Sequence, residues 1–201
     1  MDFGKHESIK LQNIFSKRPF QIQEPEKAKI IFLGLDANID KDIEKNELFF
    51  NEFFDYIQDG VKYWKNNGIH TPMLKTIYRG AGKKYHENFC KLGFTKDNAE
   101  DICFIELLNI FTYGNTSKNN KLFMKMLTEN SNKEHLNRIK DLVKMNKTIC
   151  LPKGVNTLIN ELGLFKTNSD KIIIHTHFSN AISNNELINL GIRLRRDTNL
   201  K

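Results

Sequence analysis

Lys29–Leu35 reads KIIFLGL, and Asp36, Ala37 and Asn38 follow it directly. The stretch is apolar at nearly every position rather than at every second one, which is typical of a strand that is covered on both faces. A buried strand that ends in a carboxylate and an amide places polar side chains at one edge of a sheet. The fold prediction therefore starts from this strand.

Three further short apolar runs, each bounded by turn residues, also predict strands. They are Ile102–Asn109 (ICFIELLN), Thr148–Pro152 (TICLP) and Lys171–His175 (KIIIH). Like the first run, they are mostly continuous rather than alternating, so we expect four buried strands.

Helical patterns separate the predicted strands. Apolar spacings of three and four, glycine stops and a capping box predict helices over Asn46–Asn66, Lys83–Leu92, Ser131 (with Glu134) to about Met145, Val155–Leu162 and Asn185–Arg196. Strands that alternate with helices indicate a parallel sheet with right-handed crossovers. The predicted fold is therefore α/β, a three-layer sandwich with a central four-stranded parallel sheet.

The domain organisation follows from length and composition. The 201 residues suit one domain, and the sequence has no internal repeat or Pro/Gly/Ser-rich linker. We therefore predict a single domain over residues 1–201, of which residues 1–25 form a loosely attached lead-in.

Composition excludes several classes of protein. The chain has 39% hydrophobic and 27% charged residues and no run of 18 apolar residues, so no membrane span is expected. Met1–Gln23 is polar and lacks the apolar run of a signal peptide, which favours the cytoplasm. The net charge of +7 and pI near 9.2 favour a polyanionic partner only slightly, because abundant Lys and Asn are also typical of AT-rich genomes.

The cysteines argue against a disulfide framework and against a metal cluster. Cys90, Cys103 and Cys150 are odd in number and far apart, and none forms a C-x-x-C pair. We expect them to be buried free thiols. The His175-Thr176-His177 stretch has no obvious third metal ligand, so no metal and no cofactor are predicted.

Polar side chains follow all four predicted strands. In an open parallel sheet, ligands bind beyond the carboxyl ends of the strands. There the sequence has Asp36–Asn38 after the first strand, Asn109 after the second, Lys153 after the third and His175–Ser179 at the end of the fourth. A carboxylate, an amide, a cation and two imidazoles should therefore meet at one edge.

These groups suit hydrolysis with an anionic leaving group. A carboxylate such as Asp36 can position water or stabilise positive charge on a sugar, and His177 can donate a hydrogen bond to the departing group. Asn109 has a donor and an acceptor for the edge of a planar pyrimidine. Taken singly, Asp36 could cap a turn, Asn109 could bond its own backbone, and His177 could be a half-buried structural histidine. Their predicted co-location is what favours the functional interpretation.

Several stretches resemble motifs of the uracil-DNA glycosylase superfamily. IIFLGLDAN (Ile30–Asn38) resembles its first motif, G-Q-D-P-Y-H in the founding family, with Gly34-Leu35-Asp36 on the first three positions. HFSNAIS (His177–Ser183) resembles the second motif, H-P-S-P-L-S. IELLNIFT (Ile105–Thr112) resembles the strand L-L-L-N-x-x-L-T, and KKYHENFCKLGFT (Lys83–Thr95) is similar to a helix of the mismatch-specific branch.

The resemblance implies a four-stranded parallel sheet with flanking helices and gives the strand ends catalytic roles. Asp36 would align water or stabilise an oxocarbenium-like sugar, His177 would stabilise the leaving base, and Asn109 would read the base edge. Asn38 would lie beside the base. An aromatic ring would stack on the base, with Phe111 and Phe178 the first candidates and Tyr85 the third.

The resemblance also implies DNA contacts. Ser179 and the backbone amides up to Ile182 would hold a phosphate, and Ile182 would wedge into the gap that a flipped base leaves. Lys153, Arg193, Arg195 and Arg196 would contact the DNA backbone. The alternatives are that Ile182 is a core residue at the start of a helix and that the four cations belong to a solvated face.

The chain departs from the motifs at three positions. Ala37 replaces a proline, Asn38 replaces a tyrosine that blocks the thymine methyl group, and Phe178 replaces the proline of the second motif. Hypoxanthine or a mismatched pyrimidine therefore stands beside uracil as a possible target base.

The function predicted from the sequence is that of a monomeric, monofunctional, metal-independent DNA glycosylase of base-excision repair. It would act on damaged single- or double-stranded DNA after flipping the base. Two alternatives remain: a catalytically silent nucleic-acid-binding member of the fold, and a nucleoside or nucleotide hydrolase. The absence of a glycine-rich phosphate loop counts against the second alternative.

Overall fold

The computed structural model describes residues 2–145, 147–166 and 170–200, and these residues form an α/β fold. The strands are β1 (Gly4–Lys5), β2 (Gln21–Ile22), β3 (Ile30–Gly34), β4 (Ala37–Asn38), β5 (Ile102–Glu106), β6 (Phe111–Tyr113), β7 (Thr148–Pro152) and β8 (Ile172–His175). The α-helices are α1 (Ile9–Lys17), α2 (Glu47–Gln58), α3 (Gly60–Asn67), α4 (Lys83–Cys90), α5 (Asn120–Thr128), α6 (Asn130–Lys144), α7 (Lys153–Glu161) and α8 (Asn184–Thr198).

The larger sheet has five strands in the order β2-β5-β3-β7-β8. β5, β3, β7 and β8 run parallel, whereas β2 pairs antiparallel with β5. The sequence predicted only the four parallel strands, because a two-residue strand such as β2 is too short to have a period. A second sheet, in the order β1-β6-β4, was missed because its strands are only two or three residues long.

The two faces of the larger sheet are both covered by helices. Ile30 and Phe32 point into a core shared with α1, α2, α3, α4 and α8. Ile31 and Leu33 point the opposite way, into a core shared with α5, α6 and α7. This alternation of buried side chains explains why the strands appear as continuous apolar runs.

The N-terminal segment is part of the core, so the prediction of a loosely attached lead-in over residues 1–25 is wrong. Leu11 and Phe15 of α1 are fully buried, and the Phe15 ring centroid lies 4.3 Å from that of Phe111. The His6 N–H donates to the Phe111 carbonyl oxygen at 2.9 Å. Leu11 and Phe15 are four residues apart, the spacing of one helix face, which is the signal that could have revealed α1.

Two helix predictions differ from the structure. The predicted helix Asn46–Asn66 is broken at Asp59, whose side chain caps α3 by accepting from the Lys62 N–H. Gly60 packs so closely on β2 that a Cβ there would lie 2.6 Å from the Ile22 Cα. The predicted capping box at Ser131 is also wrong, because α6 begins one residue earlier, at Asn130.

None of the helices in the described residues is long and apolar enough to cross a membrane. The buried-thiol prediction holds for Cys103 and Cys150, whereas Cys90 on α4 is exposed.

Candidate functional site

A cavity of about 560 Å³ lies at the carboxyl ends of β3 and β5. This volume is within the range of small-molecule sites, roughly 300–1,000 Å³. Strand ends, α4 and the loops after β6 and β8 supply its walls. Its lining includes Gln21, Asp36, Asn38, Tyr85, His86, Phe104, Glu106, Phe111, Thr116, His177 and Ser179.

Asp36 is held in one orientation by three side chains. Thr112 Oγ1 and Asn38 Nδ2 donate to Oδ2, the latter at 3.3 Å, and Thr116 Oγ1 donates to Oδ1 at 3.0 Å. Burial raises the pKa of Asp36, while these hydrogen bonds and the nearby His177 oppose the shift. The result is a desolvated carboxyl group with a fixed direction in the cavity.

Thr112 reaches Asp36 through the smaller sheet, and Thr116 reaches it from the turn after β6. β4 pairs with β6 in a register that sets Asn38 opposite Thr112. Asn38 also donates to the Gly114 carbonyl oxygen, so its amide nitrogen holds Asp36 and the loop rather than facing a ligand. Sequence reasoning missed both threonines, since this register is not visible in the sequence.

His177 faces the same cavity as a neutral imidazole. The Ser179 N–H donates to Nδ1 at 3.1 Å. A backbone N–H can only donate, so Nδ1 is the acceptor and the ring proton of the neutral form is on Nε2. Burial lowers the pKa of His177, and the charge of Asp36 opposes this shift. His177 therefore offers an N–H donor near neutral pH.

His175 lies outside the cavity lining and has a structural position. Its Nδ1 contacts the Thr176 carbonyl oxygen at 2.7 Å, and its ring stacks on Phe178 with centroids 4.4 Å apart. Burial lowers the pKa of His175 to about 4.

Asn109 does not reach the cavity, so the expectation that it reads a base there is wrong. β5 ends at Glu106, three residues earlier than predicted, and the chain then turns. The Asn109 side chain donates to the Ser131 carbonyl oxygen at 2.9 Å, and its N–H donates to Asn132 Oδ1 at 3.1 Å. Asn109 therefore anchors the start of α6 to the sheet.

Glu106 occupies the strand end that was predicted for Asn109. It pairs in register with Gly34, and its carboxyl group fills the space where a Cβ of residue 34 would be. Burial raises the pKa of Glu106 well above its usual range, and the charge of nearby Asp36 raises it further. Two neighbouring carboxyl groups in one desolvated site do not both ionise readily, so Glu106 is the neutral member.

The predicted stacking residues differ in their access to the cavity. Phe178 is fully buried against Phe32 and Tyr85 and does not line the cavity, so its predicted stacking role is wrong. Phe111 lines the cavity but is fully buried. Tyr85 also lines it, with its ring centroid 5.6 Å from that of His177. Tyr85 is thus the candidate best placed for stacking beside His177.

Gln21 is a cavity residue that sequence reasoning missed. It lies opposite Phe104 in the sheet, and Tyr56 Oη donates to its Oε1 at 2.9 Å. The next residue, Ile22, has φ 67°, a left-handed conformation that is strained for a β-branched side chain. The Arg18 guanidinium donates to the Ile22 carbonyl oxygen at 2.7 Å and helps to hold this backbone.

Of the predicted DNA-contacting residues near the second motif, only Ser179 lines the cavity. Ile182 packs against the apolar core, which agrees with the alternative that it is a core residue. Lys153 is exposed at the first position of α7, directly after the carboxyl end of β7.

The arginines of α8 do not reach the cavity. Arg195 donates to the Leu92 carbonyl oxygen, and Arg193 and Arg196 pair with Asp197. Asp197 lies beside Thr148, the first residue of β7, and therefore near the amino ends of the strands. Arg193, Arg195 and Arg196 therefore do not line the cavity, and their predicted contact with the DNA backbone stays a prediction.

No family model, no curated protein and no solved structure matches this chain. The resemblance to the uracil-DNA glycosylase superfamily therefore stays a prediction, and the case for function depends on the geometry of the cavity.

Proposed function

We propose that this chain is a DNA glycosylase of the uracil-DNA glycosylase superfamily, with uracil as the first candidate base. The observation that carries the proposal is the shared cavity of Asp36 and His177. The first is a carboxyl group held by three side chains, and the second is a neutral imidazole whose Nε2 carries the proton. A fixed carboxylate and an N–H donor can together promote hydrolysis of an N-glycosidic bond.

In the proposed reaction the C–N glycosidic bond breaks, the base leaves as an anion and water adds to the sugar carbon. The proton that the water loses finally neutralises the base anion. The ionised form of Asp36 aligns that water and stabilises positive charge on the sugar ring, since its fixed position needs no reorganisation during the reaction. His177 donates its Nε2–H to the oxygen on which the leaving base develops negative charge. The low-polarity surroundings strengthen both interactions.

The cavity also fits a flat base. Tyr85, Phe104 and Phe111 supply its aromatic surface, and Glu106 supplies a neutral carboxyl group with one O–H donor and one acceptor. The target nucleotide has to leave the duplex stack to reach these groups, because the glycosidic bond is inaccessible inside a helix. Because Asn109 does not reach the cavity, we place the base against these residues and not beside Asn109.

The sheet supports the assignment to the superfamily. β5, β3, β7 and β8 are parallel and helices pack on both faces, as in a three-layer sandwich with a central four-stranded parallel sheet. We propose that β2 is an addition at the edge of this sheet. The net charge of +7 supports DNA as the partner, and we propose action as a monomer in the cytoplasm.

A second candidate function is hydrolysis of a free nucleoside. It is favoured by the Asp36–Glu106 pair, because one ionised and one neutral carboxyl group can serve as base and acid in the cleavage of a glycosidic bond. The cavity of about 560 Å³ does not by itself distinguish a flipped nucleotide from a free nucleoside.

One experiment tests both candidates. The protein is incubated with oligonucleotides that contain a single uracil, hypoxanthine or mismatched thymine, and abasic sites are then cleaved with alkali. Free uridine, deoxyuridine and inosine are assayed in parallel for base release. We expect cleavage of the uracil oligonucleotide and none of the nucleosides. Release from nucleosides alone would favour the second function, and release from neither would overturn both.

A further inference from the structure

A hydrogen-bonded chain of three side chains connects the protein surface to the cavity. Cys90 Sγ lies 3.8 Å from His70 Nδ1, and His70 Nε2 lies 2.9 Å from His86 Nδ1. Cys90 is exposed, His70 is 2% exposed, and His86 lines the cavity. None of these contacts is used in the function proposed above.

Both histidines of this chain are neutral near neutral pH. Burial lowers the pKa of His86 to about 3 and lowers that of His70 well below its usual range. Each ring therefore carries one proton, and in the contact between them one nitrogen donates and the other accepts. The direction of this single hydrogen bond sets the tautomer of both rings.

The thiol at the outer end favours one direction. If Cys90 donates its S–H to His70 Nδ1, His70 donates from Nε2 to His86 Nδ1, and the proton of His86 is on Nε2. The opposite direction needs the thiol sulfur as the acceptor, which is weak compared with an imidazole nitrogen lone pair. The chain of contacts therefore favours an Nε2–H on His86.

This N–H faces the cavity. Among the described residues none bonds to His86 Nε2. This nitrogen is also not fully enclosed by the protein, so it is open to the cavity that His86 lines. The His86 ring stands edge-on to Phe104 with centroids 5.6 Å apart. Gln21 lies opposite Phe104 in the sheet, and because its Oε1 accepts from Tyr56, its amide N–H groups are the part left for the cavity.

We propose that His86 is a specificity-determining residue that donates its Nε2–H to a ring carbonyl oxygen of a heterocycle seated against Phe104, with Gln21 as a second N–H donor. His70 and Cys90 are positioning residues that fix the tautomer of His86. The inference rests on the proposed function for its ligand class, a flat base with a ring carbonyl. A base with an amino group at the same position meets a donor with a donor and is rejected.

The tautomer is tested directly by ¹⁵N-edited NMR of histidine-labelled protein. We expect the His70 and His86 rings to carry their protons on Nε2. Cys90→Ser should keep this state because a hydroxyl group also donates, whereas Cys90→Ala should allow a second tautomer of His86 to appear. A wild-type His86 protonated on Nδ1 would overturn the proposal, and an unchanged tautomer in Cys90→Ala would remove Cys90 from it.

The recognition step is tested with free heterocycles. Uracil, pyrimidin-2-one and pyrimidin-4-one are titrated by NMR, since each analogue lacks one carbonyl group of uracil. We expect one analogue to bind wild type about tenfold more weakly than uracil, the usual scale for one lost hydrogen bond in a buried site. In His86→Phe this difference should disappear, and in His175→Phe, a matched buried histidine outside the cavity, it should persist.

The two tests separate this inference from the proposed function. Wild type that binds uracil with the expected preference but releases no base from DNA contradicts the glycosylase proposal alone. Wild type that releases uracil while His86→Phe keeps full discrimination between the heterocycles contradicts the role of His86 alone. Failure of wild type to bind any of the three heterocycles would also overturn the role of His86.

Discussion

The Glu106 carboxyl group lies directly over Gly34. A Cβ at residue 34 would be 1.8 Å from Glu106 Oε2. Gly34 is the last residue of β3, the strand that precedes Asp36. The register of β3 and β5, which pairs these two residues, brings the contact about. Glycine at this position thus leaves room for the Glu106 carboxyl group at the cavity. Because the contact is made by the flexible end of the Glu106 side chain, a larger residue at position 34 can displace it.

Gly34→Ala should displace Glu106 without unfolding the protein. The clash involves the flexible end of a side chain, so we expect a moderate loss of stability and a fall in base release of up to about 100-fold, the scale of a displacement of about 1 Å in an active site. In a Glu106→Ala background the same substitution should cost little. Rates and thermal midpoints of the two single variants and the double variant check this. Independent, additive effects would contradict a link through Glu106.

Asp36→Asn should lower the rate of base release by about 10²–10⁴-fold, the usual effect of losing one catalytic group. The amide keeps the shape of the side chain but loses the charge that supports positive charge on the sugar. Binding of uracil-containing DNA should be largely retained. The matched control is Asp40→Asn, since Asp40 is not among the residues that line the cavity. A fully active Asp36→Asn enzyme would exclude Asp36 from the mechanism.

His177→Ala should slow base release, whereas His175→Ala should mainly lower stability, because His175 is packed outside the cavity. The wild-type rate should also fall at acidic pH. Two groups contribute to this fall. Burial raises the pKa of Asp36, so its ionised form is lost as the pH falls through the raised value. Burial lowers the pKa of His177, so its neutral form persists below pH 6.5 before it too is lost. Single-turnover rates across this pH range check both points. A larger catalytic defect in His175→Ala would show that the second motif is misplaced by two residues.

The sequence was sufficient to predict the parallel strands and the meeting of Asp36 and His177 at one sheet edge, because continuous apolar runs and the residues directly after them are local features. It was insufficient for Asn109 and Glu106, because the end of β5 depends on pairing with β3 rather than on the run itself. Gln21 was missed because a two-residue strand has no period. The distance of the α8 arginines from the cavity was not predictable from the sequence, because the direction in which a helix leaves the sheet edge decides where its last turns lie.

The folded protein should lose stability as the pH falls below about 6.5. Burial lowers the pKa of His86 to about 3 and of His175 to about 4, and that of His70 also falls. The unfolded chain then binds more protons than the folded one from pH 6.5 downward. Each such proton costs the folded state about 1.4 kcal/mol per pH unit.

The substitution His175→Phe isolates one part of this effect. Between pH 7 and pH 4.5 the free energy of unfolding should decrease by about 2–3 kcal/mol less in this variant than in wild type, because the lowered pKa of one buried histidine is removed. The raised pKa values of Asp36 and Glu106 act in the opposite direction, since their contribution is present at low pH and lost as the pH rises. Asp36 and Glu106 are present in both wild type and His175→Phe, so their contributions cancel when the two proteins are compared. Urea unfolding at several pH values measures the difference, and parallel curves would contradict it.

The affinity for DNA should depend on Lys153 and not on Arg196. Lys153 is exposed at the carboxyl end of β7, the sheet edge at which the cavity opens. Arg196 is exposed too, but it pairs with Asp197 near the amino ends of the strands. Each phosphate contact releases counterions, so the logarithm of the affinity falls linearly with the logarithm of the salt concentration. Lys153→Ala should reduce this slope by about 0.7–0.9, and Arg196→Ala should leave it unchanged.

The measurement is fluorescence anisotropy of labelled single- and double-stranded uracil oligonucleotides at several salt concentrations. The catalytic variant Asp36→Asn is used as the background so that the substrate stays intact. Both substitutions remove one positive charge, so a loss of net charge alone would change both slopes equally. A change confined to Lys153→Ala places the DNA along the cavity edge of the sheet, whereas a change confined to Arg196→Ala places it at the opposite edge. An affinity that does not depend on salt would favour hydrolysis of a free nucleoside, because such a substrate has no phosphate chain to displace counterions.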